Sequence, residues 1–151
     1  MATQAFNAQK TTISREDPAT PGTYEAIAEI KTFGGLGGGS ANVIDATTLD
    51  SDGKEKLMGL LDEGQLTLEV NFVPRNLMHQ ALIQDRKDQA LRNFKITFSD
   101  NRNVGGTPTS CIISAYVLSF NVSGGVDALT AGSIALEISD AADWTFGAAA
   151  P

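Results

Sequence analysis

The cleanest pattern in the chain lies at Gln65 to Phe72, where Leu66, Leu68, Val70 and Phe72 alternate with Thr67, Glu69 and Asn71. A period of two predicts a strand with one face buried and one wet. The same alternation predicts a strand over Tyr24 to Phe33, with Tyr24, Ala26, Ala28 and Ile30 opposite Glu25, Glu29 and Lys31. Two more follow, one turning Phe94, Ile96 and Phe98 inward, the other, Ser133 to Ile138, turning in Ile134, Leu136 and Ile138. Cys111 to Val122 is apolar on both faces, Ile113, Ala115 and Val117 on one and Ile112, Tyr116, Leu118, Phe120 and Val122 on the other. Such a strand is expected to be covered twice, by a helix and a second sheet or by a neighbouring subunit. A weaker pattern near Thr11 to Ser14 predicts a short edge strand within an N-terminal arm, residues 1–21, punctuated by Pro18 and Pro21.

Helical spacing joins Leu77, Met78, Ala81 and Leu82, which predicts one helix over 75–86, entered by Pro74 and capped by Asn76. Gly124-Gly125 reads as a turn. Trp144 and Phe146, in a tail over 140–151, are expected to plug an edge of the core. The sum is a mainly β domain spanning 1–151, a β-sandwich or half-open barrel of about six strands with one flanking α-helix and a long loop.

That loop, residues 34–64, carries no sustained period. It opens with GGLGGGS, in which Gly34, Gly35, Gly37, Gly38 and Gly39 read as a hinge. A phosphate cradle is disfavoured, since no Lys-Ser or Lys-Thr follows and the next segment is not helical in pattern. Asp50-Ser51-Asp52-Gly53 is turn chemistry, followed by an apolar island of Leu57, Met58, Leu60 and Leu61. Loops of this length are usually functional or disordered, and exposed aliphatics need a cover. Another copy of the same chain is the expected cover.

Composition narrows the function. The 151 residues fit one domain, and no apolar run approaches the roughly 20 residues of a membrane-spanning helix. The polar N-terminus is not a secretory signal, and the single cysteine, Cys111, suits a core position in a protein made in a cytoplasm. A net charge of −7 argues against tight nucleic-acid binding. Six of the eleven basic residues, Arg75, Arg86, Lys87, Arg92, Lys95 and Arg102, fall between 75 and 102, and none follows, so copies could dock through one basic and one acidic surface, unless this is ordinary solvated charge.

Chemistry is sparse. His79, the one histidine, is expected at the boundary of the helix's apolar stripe and has no nominated partner for general-base work. Cys111 lacks the electropositive, open surroundings of a reactive thiolate. The Asp50–Gly53 segment resembles half a calcium loop, but Lys54 and Leu61 stand where further ligands belong, and one Cys with one His cannot build a zinc site. No catalytic residue, metal or cofactor is nominated, and the chain is expected not to be an enzyme.

The segment VIDATTLDSDGKEKLMGLLDEGQLTLEVNF resembles the signature of the major tail tube proteins of long-tailed phages, and RNLMHQAL, FKITF and the long strand ending near Val122 follow in matching order. The resemblance covers roughly Tyr24 to Ile138. It implies stacked, hexameric rings around a lumen for DNA, filled by a tape-measure protein and closed by tail terminator and tail-tip proteins. It implies that Asp45 to Gly64 is an arm reaching an adjacent subunit or ring, with Asp45, Leu49, Asp50, Leu57, Met58, Leu60 and Leu61 as its assembly residues. It implies a virion tail location, with DNA passing unbound along an acidic lumen. Strand alternation nominates Glu25, Glu29, Glu69 and Glu137 for that lumen. Some members carry an extra C-terminal immunoglobulin-like domain, expected to be absent here. The alternatives are the tube protein of a contractile tail or type VI-like secretion system, and a small ligand-binding module.

Overall fold

The computed structural model describes residues 7–102 and 106–148. The first six and last three residues of the expected arm and tail lie outside the described residues, as does part of the turn-rich connection before Pro108. Nine strands and one α-helix follow in chain order among the described residues. They are β1 (Thr12–Glu16), β2 (Tyr24–Ala26), β3 (Ile30–Gly34), β4 (Ala41–Asp45), β5 (Lys56–Leu61), β6 (Gln65–Asn71), α1 (Leu77–Asp88), β7 (Leu91–Thr97), β8 (Ser110–Gly125) and β9 (Ala128–Thr145). Seven strands form an antiparallel sheet in the order β2-β1-β7-β8-β9-β6-β3, and β4 pairs with β5 in a separate ribbon.

The two edge strands of the large sheet, β2 and β3, are consecutive in sequence. A flat sheet of seven strands would hold its edges about 29 Å apart, whereas the chain from Ala26 to Ile30 can reach only roughly 14 Å. The sheet therefore curls until its edges nearly meet, giving the half-open barrel expected. Ile27 N–H still donates to Ile13 O of β1 (2.8 Å), while Glu29 O accepts from Asn71 N–H of β6 (2.9 Å). The chain thus crosses the seam within three residues, turning at Glu29 with a φ of 64°.

This crossing corrects the continuous strand expected over Tyr24 to Phe33. Alternation survives on both sides of a break, so the pattern alone does not reveal it. It also corrects the edge position expected near Thr11 to Ser14: β1 is flanked by β2 and β7, and its Ile13 and Arg15 point inward.

One face of the curled sheet and the helix enclose the core. Leu66, Leu68 and Val70 of β6 meet Ile134 and Leu136 of β9, Phe94 and Ile96 of β7, Cys111, Ile113, Ala115 and Val117 of β8, and Met78 and Leu82 of α1. Each large aliphatic buried in this way contributes about 1.5–3 kcal/mol. Asn76 caps the helix, its side chain accepting from Met78 N–H (3.0 Å) and His79 N–H (3.2 Å).

Among the described residues of the single chain no helix or second sheet covers the outer face of β8, which leaves a neighbouring subunit as the other expected cover. Tyr116 and Leu118 stay exposed. A bulge between Val117 and Ser119 shifts the phase of the strand, so Phe120 pairs with buried Ile134 and turns to the core side. An inserted residue reverses which side chains face in. The turn expected at Gly124-Gly125 falls two residues later, at Val126-Asp127, with β8 running on to Gly125 and β9 starting at Ala128.

Two buried polar arrangements fix the helix. Asp85, 2 % exposed, accepts from Arg15 Nε (2.6 Å), Arg15 Nη2 (2.9 Å) and Arg92 Nε (3.2 Å), joining α1 to β1 and β7. His79 is fully buried instead of lying at a boundary. Its Nδ1 accepts from Val73 N–H (3.2 Å) and its Nε2–H donates to Ala28 O (2.9 Å), which assigns the neutral ring with its proton on Nε2. The ring stacks on Phe72 and stands edge-on to Phe120. His79 thus pins the seam crossing to the helix, with both nitrogens engaged by main chain.

Candidate assembly surfaces

The stretch expected to be an irregular loop is a β-hairpin. β4 and β5 pair antiparallel, with Val43 opposite Met58, Ile44 opposite Leu57 and Asp45 opposite Lys56. Period-two reading fails here because neither face of the ribbon enters the core, so apolar residues are not confined to alternate positions. Directly paired residues share a face. Val43 and Met58 therefore line one side, and Ile44 and Leu57 the other. All four are exposed, as are Leu61 and Leu60, the latter 94 % exposed.

The hairpin's turn is held by polar groups. Thr47 Oγ1 accepts from Glu55 N–H (2.9 Å), and Ala46 N–H donates to Glu55 O (2.8 Å). Asp45 Oδ1 accepts from Thr47 N–H (3.0 Å), and the hydrogen bonds from Thr47 hold the Asp45 carboxyl below its ordinary value. Thr48 N–H donates to Ser51 Oγ (3.1 Å), which leaves Leu49 projecting fully into solvent and Asp50 exposed beside it.

At the base, the glycine segment is more closely packed than a slack tether. Gly35, with φ of 88°, lies against Gln65 O, and a side chain on Gly39 would collide with the Asp62 carbonyl. Gly37 also has positive φ, while Gly38 N–H donates to Gly35 O (3.0 Å). Gly34 ends β3 beside Thr67.

The outer face of the sheet is the second surface. Gln65, Thr67 and Glu69 of β6 face away from the core beside Glu137, Ala135 and Ser133 of β9. Glu29 joins them, accepting from Asn71 Nδ2 (3.4 Å). Three of the four acids nominated for the lumen thus share one face. Glu25 does not: it pairs with the inward-turned Arg15 and lies on the opposite face.

The basic surface expected from residues 75–102 is thinned, since Arg92 is spent on Asp85. Of the two tail aromatics, Trp144 stacks on Phe98, which contacts Phe33, and Phe146 stacks outside Trp144. Phe146 stays 76 % exposed, so the expected plug is a ladder running from the core out to solvent. Cys111 is buried at its foot, its thiol pushed up to about 11 by burial, with Glu63 and Asp143 adding to the effect. Among the described residues, no three His, Cys, Asp or Glu side chains gather to hold a metal.

A half-open barrel whose greasiest ribbon and whole outer wall face solvent defines a subunit of a larger assembly. The family profile described as "Phage tail tube, TTP, lambda-like" matches residues 4–148, and the chain belongs to that family. It is a structural, non-enzymatic protein of the virion tail. No curated protein sequence matches it. Among solved structures it is similar to the tail of an empty gene transfer agent particle with C6 symmetry, at 19% identity over 93% of this chain and 99% of that one, TM-score 0.72. It is similar to the SPP1 tail tube at 13% identity, covering 94% of this chain and 81% of that one, TM-score 0.67. The sheath–tube complex of an extracellular contractile injection system, PVC, matches at 16% identity, covering 94% and 92%, TM-score 0.70. The fold alone does not separate sheathed from unsheathed tubes; the lambda-like family match favours the unsheathed kind.

Proposed function

We propose that this chain builds hexameric rings that stack into a tail tube, with the β4–β5 hairpin as the arm that ties each subunit to a neighbour. The carrying observation is a ribbon with aliphatic side chains uncovered on both faces. An isolated two-stranded ribbon is at best marginally stable in water. Burial by a sister molecule both hides Leu57, Met58, Leu60 and Leu61 and fixes the ribbon's position. The close-packed glycines at its base set the direction in which it leaves the barrel and serve as its hinge.

Similarity to the sixfold gene transfer agent tail supports the ring number, and the family supports the surroundings: a tape-measure protein inside, terminator and tip proteins at the ends, DNA passing through. Glu29, Glu69 and Glu137 share the outer face of the sheet, which suits a lumen wall that repels phosphates. Glu25 is dropped from that set by its position.

The test is the double variant Leu57→Asp, Leu60→Asp, compared with the unaltered protein by negative-stain microscopy and sedimentation. Unaltered protein is expected to form tubes of uniform width, and the variant to stay monomeric with an unchanged circular dichroism spectrum. Tubes at undiminished yield from the variant would refute the arm.

A further inference from the structure

β6 and β8 both pair antiparallel with β9, so they run in the same direction. The β4–β5 hairpin precedes β6 and the β8–β9 turn follows β8, which puts these two projections at opposite ends of the barrel. The second projection is as conspicuous as the first. Residues 121–130 are exposed without interruption, and 124–130 lie beyond the end of β6. This tip presents Leu129 and Val126, the latter completely exposed, while Val73 and Leu77 add exposed aliphatics after β6 at the same end.

Charges are also paired off. Asp127 sits in the β8–β9 turn with Arg75 at the same end, while Lys54 and Lys56 border the apolar island of the hairpin and Asp50 and Asp52 occupy its turn. Docking like on like would close a two-fold dimer and stop growth, whereas unlike surfaces at opposite ends propagate a filament.

We infer that the β4–β5 hairpin of one copy docks on the β8–β9 tip of the next, Met58 and Leu60 of one ribbon face packing on Val126 and Leu129 with Lys56, on that same face, beside Asp127. This rests on the reading of the hairpin as the assembly arm and names its receptor.

The experiment mixes Leu60→Cys protein with Val126→Cys protein, assembles them and oxidises. Buried Cys111 stays silent because its thiol is sealed and hard to ionise. A disulfide-linked dimer is expected from the mixture and from neither variant alone. Tubes without that dimer, or a dimer of Leu60→Cys with itself, overturn the pairing while leaving the arm intact; absence of tubes from unaltered protein would instead refute the proposed function.

Charge reversal provides a readout that does not depend on cysteine. Asp127→Lys and Lys56→Glu are each expected to raise the critical concentration for assembly roughly two- to fivefold, and the double reversal to restore it. A double variant no better than the worse single one overturns the pairing.

Discussion

Replacing Asp85 by Asn tests whether the interior is held by charge. The carboxylate is buried and takes three N–H donors from two guanidiniums, at 2.6, 2.9 and 3.2 Å. Asn keeps the shape but removes the charge and turns one acceptor into a donor facing Arg15 or Arg92. Removing one partner from a buried ionic cluster costs about 3–5 kcal/mol, because the remaining charge is left without compensation. A domain's total stability is about 5–15 kcal/mol. For a chain of this size each kcal/mol moves the melting temperature by roughly 2–4 °C, so the expected drop is about 6–20 °C. The measurement is thermal and urea unfolding by circular dichroism, with the Leu57→Asp, Leu60→Asp background keeping every sample monomeric. A drop under about 2 °C would refute the reasoning and mean that water reaches the cluster. The triple variant Arg15→Met, Asp85→Leu, Arg92→Met removes all charge together and is expected to recover most of the loss, since apolar replacements of whole buried clusters are often neutral or better.

His79→Leu leaves Val73 N–H and Ala28 C=O without their partner and is expected to cost roughly 2–6 kcal/mol in urea unfolding, at about 1–3 kcal/mol for each orphaned group. Gly39→Ala drives a methyl group into the Asp62 carbonyl, main chain that cannot swing aside; tube yield should fall while the melting temperature of the barrel stays put. Hydrogen exchange should find Val43, Ile44, Met58 and Leu60 amides unprotected in monomers and protected in tubes, and protection in monomers equal to that of β6 would contradict the need for a partner. Asp45 has a carboxyl lowered by Thr47, so its contribution to the hairpin turn is complete above the ordinary value of 3.8 and fades as pH falls below it. Assembly of Asp45→Asn should correspondingly respond less than that of the unaltered protein as pH falls below 3.8.

The sequence was most readable where a segment had one buried face. Leu66, Leu68 and Val70, and likewise Ile134, Leu136 and Ile138, sit inside as their alternation requires. The helix came within two residues of its ends because Asn76 supplies a local stop that chain chemistry dictates. Long-range geometry was not readable. Nothing near Ala28 says that the chain changes edge there, because the cause is curvature of a sheet whose other strands lie up to a hundred residues away. Phe120 was assigned the wrong face because a bulge leaves no residue signature at Leu118. His79 was expected at a boundary and not inside, because burial of a polar side chain depends on partners, here Ala28, that are distant in sequence. The β4–β5 hairpin stood out by its turn residues and exposed grease but not as strands, since a ribbon with two wet faces has no inside to keep time by.

The seam between β2 and β3 has one more consequence. Where the wall lacks a row of hydrogen bonds, Ile27, Ala28 and Glu29 bind its two margins covalently, much as a cross-link would. A single protease cut within those residues would remove no side chain from the core. It would nonetheless let the margins part, turning a stave-built cask into a loose fan.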